Sequence, residues 1–178
     1  MKTKQSLSPR SLAEAGVIAA LYVALTMAVP SISFGSVQLR LSEMLTLLPV
    51  LTFSAVPGLA VGCFLSNLLG LAIGANVAGA WDLLIGTGAT LAAALLTYAL
   101  RRVRTHGWPL LAAVPPVLLN ALIVGAELAW MTTEFALPTY LLFALSVGAG
   151  ELVACIGGVV LCVMLEKHGA ARRLFPRG

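Results

Sequence analysis

From Leu12 to Leu165 the chain is a near-unbroken succession of apolar runs, and its basic residues are swept to three places. They lie before Leu12, at Arg101-Arg102-Val103-Arg104 and after Leu165, with Arg40 the one exception. Water cannot solvate such runs, and a soluble core cannot hide them. Hydrophobic residues make up 60% of the chain and charged ones 10%, with a mean hydropathy of +0.99, whereas soluble domains run at about 45–50% apolar and about 25% charged. A membrane-crossing helix takes ~20 residues, so the 178 residues suit roughly six short-looped spans in a single membrane domain over 1–178. The expectation is an all-α membrane protein, a six-helix bundle with no appended soluble domain.

The expected spans are residues 12–33, 41–54, 57–74, 81–100, 109–131 and 139–165. Lys2, Lys4 and Arg10 place the N-terminus in the cytoplasm by the positive-inside rule. The triple-arginine loop carries the same mark, as do Lys167, Arg172, Arg173 and Arg177. Pro49 and the Ser54-to-Gly58 break divide Leu41–Gly74 in two, Pro57 suiting the first turn of a new helix. With that division all three basic clusters fall on the cytoplasmic side of a bacterial inner membrane. The N-terminal apolar stretch is too long for a signal-peptide core and is expected to stay in the mature protein. The net charge of +4 therefore reports topology and lipid headgroups, not nucleic acid. Cys63, Cys155 and Cys162 lie in apolar runs without a CxxC spacing and read as buried small hydrophobes.

A charge at the bilayer centre costs about 2.5–3.5 kcal/mol even on lenient scales, so each ionisable residue within a span needs a reason. Glu14 and Glu166 lie at cytoplasmic helix ends and Glu134 in an outer loop. Four acids are different: Glu43 opens the second span, Asp82 the fourth, Glu127 lies in the outer third of the fifth, and Glu151 is near the middle of the sixth. Asn67 and Asn120 join them at similar depth, with Arg40 at the outer rim. An outward-opening cavity lined by these groups is the expectation. All but Glu127 and Glu151 have a plainer reading as well: an Arg40–Glu43 pair at i,i+3, Asp82 as a helix cap, the two amides as interhelical hydrogen bonds. Trp81 and Trp130 suit the outer aromatic belt or a stacking surface. In the first span Ala15, Gly16, Ala19, Ala20, Ala24 and Ala28 give small residues four apart, which lets another helix approach closely. No GxxxxGK[ST] phosphate loop is present, so ATP hydrolysis by this chain alone is not expected. His106 and His168 lie far from the acids, so neither a zinc site nor a histidine-based triad assembles; an enzyme is not expected.

The run Gln38-Leu39-Arg40-Leu41-Ser42-Glu43-Met44-Leu45-Thr46-Leu47-Leu48-Pro49 resembles the QueT family of queuosine-precursor transporters. The likeness continues through Pro57-Gly58 with Gly62, Asn67-Leu68-Leu69-Gly70, and Trp81-Asp82 with Gly86 and Thr90. It extends to Pro115-Pro116-Val117-Leu118-Leu119-Asn120 with Gly125 and Glu127, and to Ser146-Val147-Gly148 with Gly150-Glu151. The resemblance implies a substrate-binding S component of an energy-coupling factor (ECF) transporter, N-in and C-in. Its implied partners are a membrane T subunit and two ATPases, which alone would use ATP; the chain itself needs no cofactor. In S components the small-residue face of the first helix meets the T subunit, which makes Ala15, Ala19 and Ala20 candidates. The implied substrate is 7-aminomethyl-7-deazaguanine or queuine. Its guanine-like edge offers a donor pair to one carboxylate, and its ammonium wants another. Glu127 and Glu151 are expected to divide these tasks, Asn120 and Asn67 to serve the remaining edge, and Arg40 and Glu43 to belong to a closing loop. The competing readings are an S component for another vitamin, a solitary proton-coupled carrier with Glu151 as its proton site, and a purely structural subunit.

Overall fold

The computed structural model describes residues 8–35 and 39–176. Lys2, Lys4, Gln38 and Arg177 lie outside the described residues, as does part of the loop expected between Gly35 and Arg40. The described chain is helical throughout, with five helices long and apolar enough to cross a membrane.

Helix α1, Pro9–Ala28, begins where Pro9 supplies a preset φ and the Ser8 Oγ accepts from the Ser11 amide at 3.2 Å. It stops at Val29 because Pro30 disfavours a helical residue before it, and a short turn, Pro30–Ser33, follows. Helix α2, Leu41–Val50, is a 3-10 helix with Pro49 inside it. At about 2.0 Å per residue it covers roughly 20 Å, short of the ~30 Å hydrocarbon core. The expected span at 41–54 is thus not a regular transmembrane helix. From Ser42 to Val50 every residue but Met44 is buried, and α2 packs against α6, α4, α1 and α3. A segment enclosed on all sides has no need of an amphipathic stripe.

Helix α3 is Ala55–Ala72. Helix α4 is Gly79–Ala99, α5 is Leu110–Thr133 and α6 is Leu137–Lys167; a last turn, α7, is Ala170–Leu174. Two of them are irregular where the polar residues sit. Helix α4 opens with a 3-10 turn, Gly79–Leu83, and α5 carries a π-helical turn at Asn120–Val124, a distortion that is frequent at functional sites. Left-handed Glu134 and Phe135 end α5.

Helices α1 and α3 pack closely. A Cβ at Gly58 would lie 2.7 Å from the Ala15 carbonyl oxygen, and one at Gly62 would lie 2.8 Å from the Tyr22 Cβ and 3.1 Å from the Ala19 carbonyl oxygen. The glycines bring the two backbones together over the Ala15–Ala19 face, a small-residue contact of the kind membrane helices use.

The basic segments share one end of the bundle. Arg10 pairs with Glu14 at 3.3 Å and donates to the Arg173 carbonyl at 3.4 Å, while Arg104 grips Glu166 with bonds of 3.1 and 2.7 Å. Thr52, just past α2, reaches Glu14 at 3.5 Å. Arg40, just before α2, donates to the Ser33 carbonyl at 3.1 Å beyond the far end of α1. The short helix with its flanks therefore runs the length of α1.

Candidate functional site

Away from the end that holds Arg10, Arg104 and Arg173, five charged side chains are buried: Arg40, Glu43, Asp82, Glu127 and Glu151. They fall into three groups.

The first group is built on Asp82. Its Oδ2 pairs with the Arg40 Nη2 at 3.0 Å and accepts from the Asn76 Nδ2 at 2.9 Å. Asn67 donates to the Asp82 backbone carbonyl at 2.7 Å. The Asp82 carboxylate lies against the bare Cα of Gly86, where any side chain would collide with it. The Arg40 guanidinium also sits over the Phe34 ring, 5.1 Å from its centroid. The i,i+3 pairing of Arg40 with Glu43 does not form: Arg40 is the extended residue before α2, and its side chain runs across to α4 instead. Nor does Asp82 cap α4 with its side chain.

The second group joins four helices, α1, α2, α5 and α6. The Tyr22 hydroxyl donates to the Glu43 Oε1, and Asn120, in the π turn, donates to the Glu151 Oε1 at 3.0 Å. The Glu43 and Glu151 carboxyl groups adjoin each other closely enough to interact directly. Thr26 donates to the Ser42 Oγ at 2.7 Å beside them.

Glu127 stands by itself. Only 5% of it is exposed, yet neither carboxylate oxygen has a hydrogen-bond partner among the described residues. It lines a pocket of about 340 Å³ with Trp81, Ile85, Trp130 and Met131, between the start of α4 and the end of α5. Asp82 and Arg40 are its charged neighbours.

The expected site residues are thus partly brought together. Glu127, Trp81 and Trp130 share one pocket, with Arg40, Asp82 and Asn67 in the network beside it. Glu151, Glu43 and Asn120 form a separate buried cluster and do not line that pocket. Tyr22 and Asn76 are the polar partners that sequence reasoning missed. Tyr22 is hidden in an apolar run and Asn76 in a polar turn; the only signal is that each lies within a few residues of another polar group, Thr26 and Asp82 respectively.

The alanine face of α1 also divides. Ala15 and Ala19 are buried against α3, so these two candidates face the bundle itself and offer no surface to a partner. Ala20 points outward, in line with exposed Gly16, Ala24 and Ala28. Both ladders have the four-residue spacing, and only the packing of α3 decides which is free.

Among the described residues no cluster of His, Cys, Asp and Glu is arranged to hold a metal ion. The site's chemistry is that of recognition: a carboxylate without a partner, aromatic surfaces at the rim and an ion-paired arginine behind them. Residues 12–167 match the model of the QueT transporter family. Neither a curated protein nor a solved structure matches the chain. The match takes in all six helices from the first turn of α1 to the end of α6, and the chain belongs to the QueT transporter family, a family of transporters rather than enzymes.

Proposed function

We propose that this protein is the substrate-binding S component of an ECF-type importer in a bacterial cytoplasmic membrane. In this reading it captures a queuosine precursor, 7-aminomethyl-7-deazaguanine or queuine, from the outside. The chain crosses the membrane six times, α2 with its flanks serving as the second crossing, and the arginine-rich end faces the cytoplasm. Two supports for that topology are the positive-inside rule and the gathering of Arg10, Arg104 and the α6–α7 junction at one end. The T subunit and the ATPases of an ECF module supply the energy.

The observation that carries the reading is the Glu127 carboxylate, buried, without a hydrogen-bond partner among the described residues, in the wall of a pocket flanked by two tryptophans. A buried carboxylate left this way is costly unless a donor-rich or cationic ligand completes it. A 7-deazaguanine does so. Its N1–H and exocyclic amine form a donor pair that one carboxylate accepts together, and its aromatic face stacks on indole. The pocket is of the size that small-molecule sites have, about 300–1,000 Å³. Glu127 therefore takes the leading role that the sequence divided between it and Glu151.

Titration calorimetry of the purified protein with 7-aminomethyl-7-deazaguanine tests this. Hydrogen bonds to a charged group contribute about 1.5–3 kcal/mol, so Glu127→Gln should weaken binding roughly 10- to 100-fold. Equal affinities for the wild type and the variant would remove Glu127 from the site.

A further inference from the structure

Among the described residues the membrane-buried charges are one guanidinium and four carboxyl groups. Arg40 is committed to Asp82 and to the Ser33 carbonyl, and Glu127 faces the pocket. Glu43 and Glu151 remain, in direct contact with each other and enclosed by protein.

Each of the two carboxyl groups has one donor on its outer side, Tyr22 for the Glu43 Oε1 and Asn120 for the Glu151 Oε1. The Glu43 Oε2 has none among the described residues, although it is fully buried. The titratable and charged groups that act on the pair are Tyr22 on α1, Arg40 before α2, Cys63 on α3, Asp82 on α4 and Cys155 on α6. Arg40 is the sole cation in that set, and its charge is already balanced by Asp82. Two ionised carboxylates in contact, in a medium of low dielectric constant, repel each other too strongly to persist without a proton or a cation between them. Neither residue lines the pocket beside Glu127, and their carboxyl groups already touch, so what fits between them is small.

We propose that Glu43 and Glu151 form a proton-binding dyad that holds one proton between them, carried on Glu151 and donated to the Glu43 Oε2. A carboxylic acid at Glu151 turns the one neighbouring acceptor into a donor and completes the orphaned oxygen. Glu43 already accepts from Tyr22 at Oε1, and its Oε2 is the oxygen left without a donor, so the proton is placed on Glu151. The dyad thereby ties the short α2 to α6 through a contact that exists only while the proton is present.

The experiment is infrared difference spectroscopy on the ligand-free protein at neutral pH, comparing the wild type with Glu151→Gln and with Glu43→Gln. Gln at either position keeps the shape of the side chain, and the thermal melting point of each variant reports whether it is folded. The wild-type-minus-Glu151→Gln spectrum should contain the carbonyl stretch of one protonated carboxylic acid, and Glu43→Gln should shift or abolish that band by changing its acceptor. Absence of the band, or a band unmoved by Glu43→Gln, overturns the proposal. Because no ligand is present, either result leaves the reading of the Glu127 pocket untouched, and failure of that pocket to bind a deazaguanine leaves the dyad untouched.

Discussion

Replacing Asp82 with Asn removes one charge from the buried network while preserving its shape. In the wild type the Asp82 Oδ2 holds the Arg40 guanidinium at 3.0 Å, and Arg40 and Asp82 are 6% and 0% exposed, so the solvent screening that makes surface pairs weak is missing. Removing one partner of a buried ion pair typically costs 3–5 kcal/mol, because the remaining charge is left uncompensated. With Tm falling about 2–4 °C per kcal/mol in a chain of this size, Asp82→Asn should lower the melting point by roughly 6–20 °C. The assay is thermal unfolding of the purified protein in detergent, run as a double-mutant cycle with Arg40→Gln. Removing both charges should recover part of the loss, since groups in direct contact couple by about 0.5–3 kcal/mol while independent sites add to within about 0.5 kcal/mol. Strictly additive losses, or a Tm for Asp82→Asn within a degree or two of wild type, would refute the argument that this pair holds the start of α2 to α4.

Gly158→Ala should destabilise by about 1–3 kcal/mol, as overpacking does, because its new methyl would run into the Met44 carbonyl and lie 3.2 Å from the Leu47 side chain, where α2 meets α6; a melting curve matching wild type would mean that α2 has room to move. Trp at the first-helix alanines should separate two effects: Ala20→Trp, on the exposed ladder, should leave the melting point within about 0.5 kcal/mol of wild type and, on the S-component function proposed above, block co-purification with a T subunit. Ala19→Trp should lower the melting point by prising α1 from Gly62 of α3, and the reverse pattern would reassign the two faces.

The five long helices and the membrane environment follow from the sequence, because apolar length and charge placement are local properties that a bilayer reads residue by residue. The family follows from sequence as well, since its motifs are runs of neighbouring residues such as Arg40–Pro49 and Pro115–Asn120. That Glu43, Asp82, Glu127 and Glu151 needed partners was also legible, because an ionisable group in a span is costly whatever its surroundings.

Which of them found partners, and which partners, was decided only by the tertiary structure. Arg40 lies three residues from Glu43 and forty-two from Asp82 along the chain, yet its ion pair is with Asp82. The backbone of α2 lies directly against α6 at Gly158, where a side chain would collide with the Met44 carbonyl, a constraint not visible in α2's own residues. Ala15 and Ala20 are chemically the same residue on the same helix; the close approach of Gly58 and Gly62 buries the ladder of one and leaves that of the other free. Sequence spacing sets which side chains share a face of one helix, but which face meets which neighbour depends on how all the helices pack at once, and the separation of Glu127 from the Glu43–Glu151 pair is of that second kind.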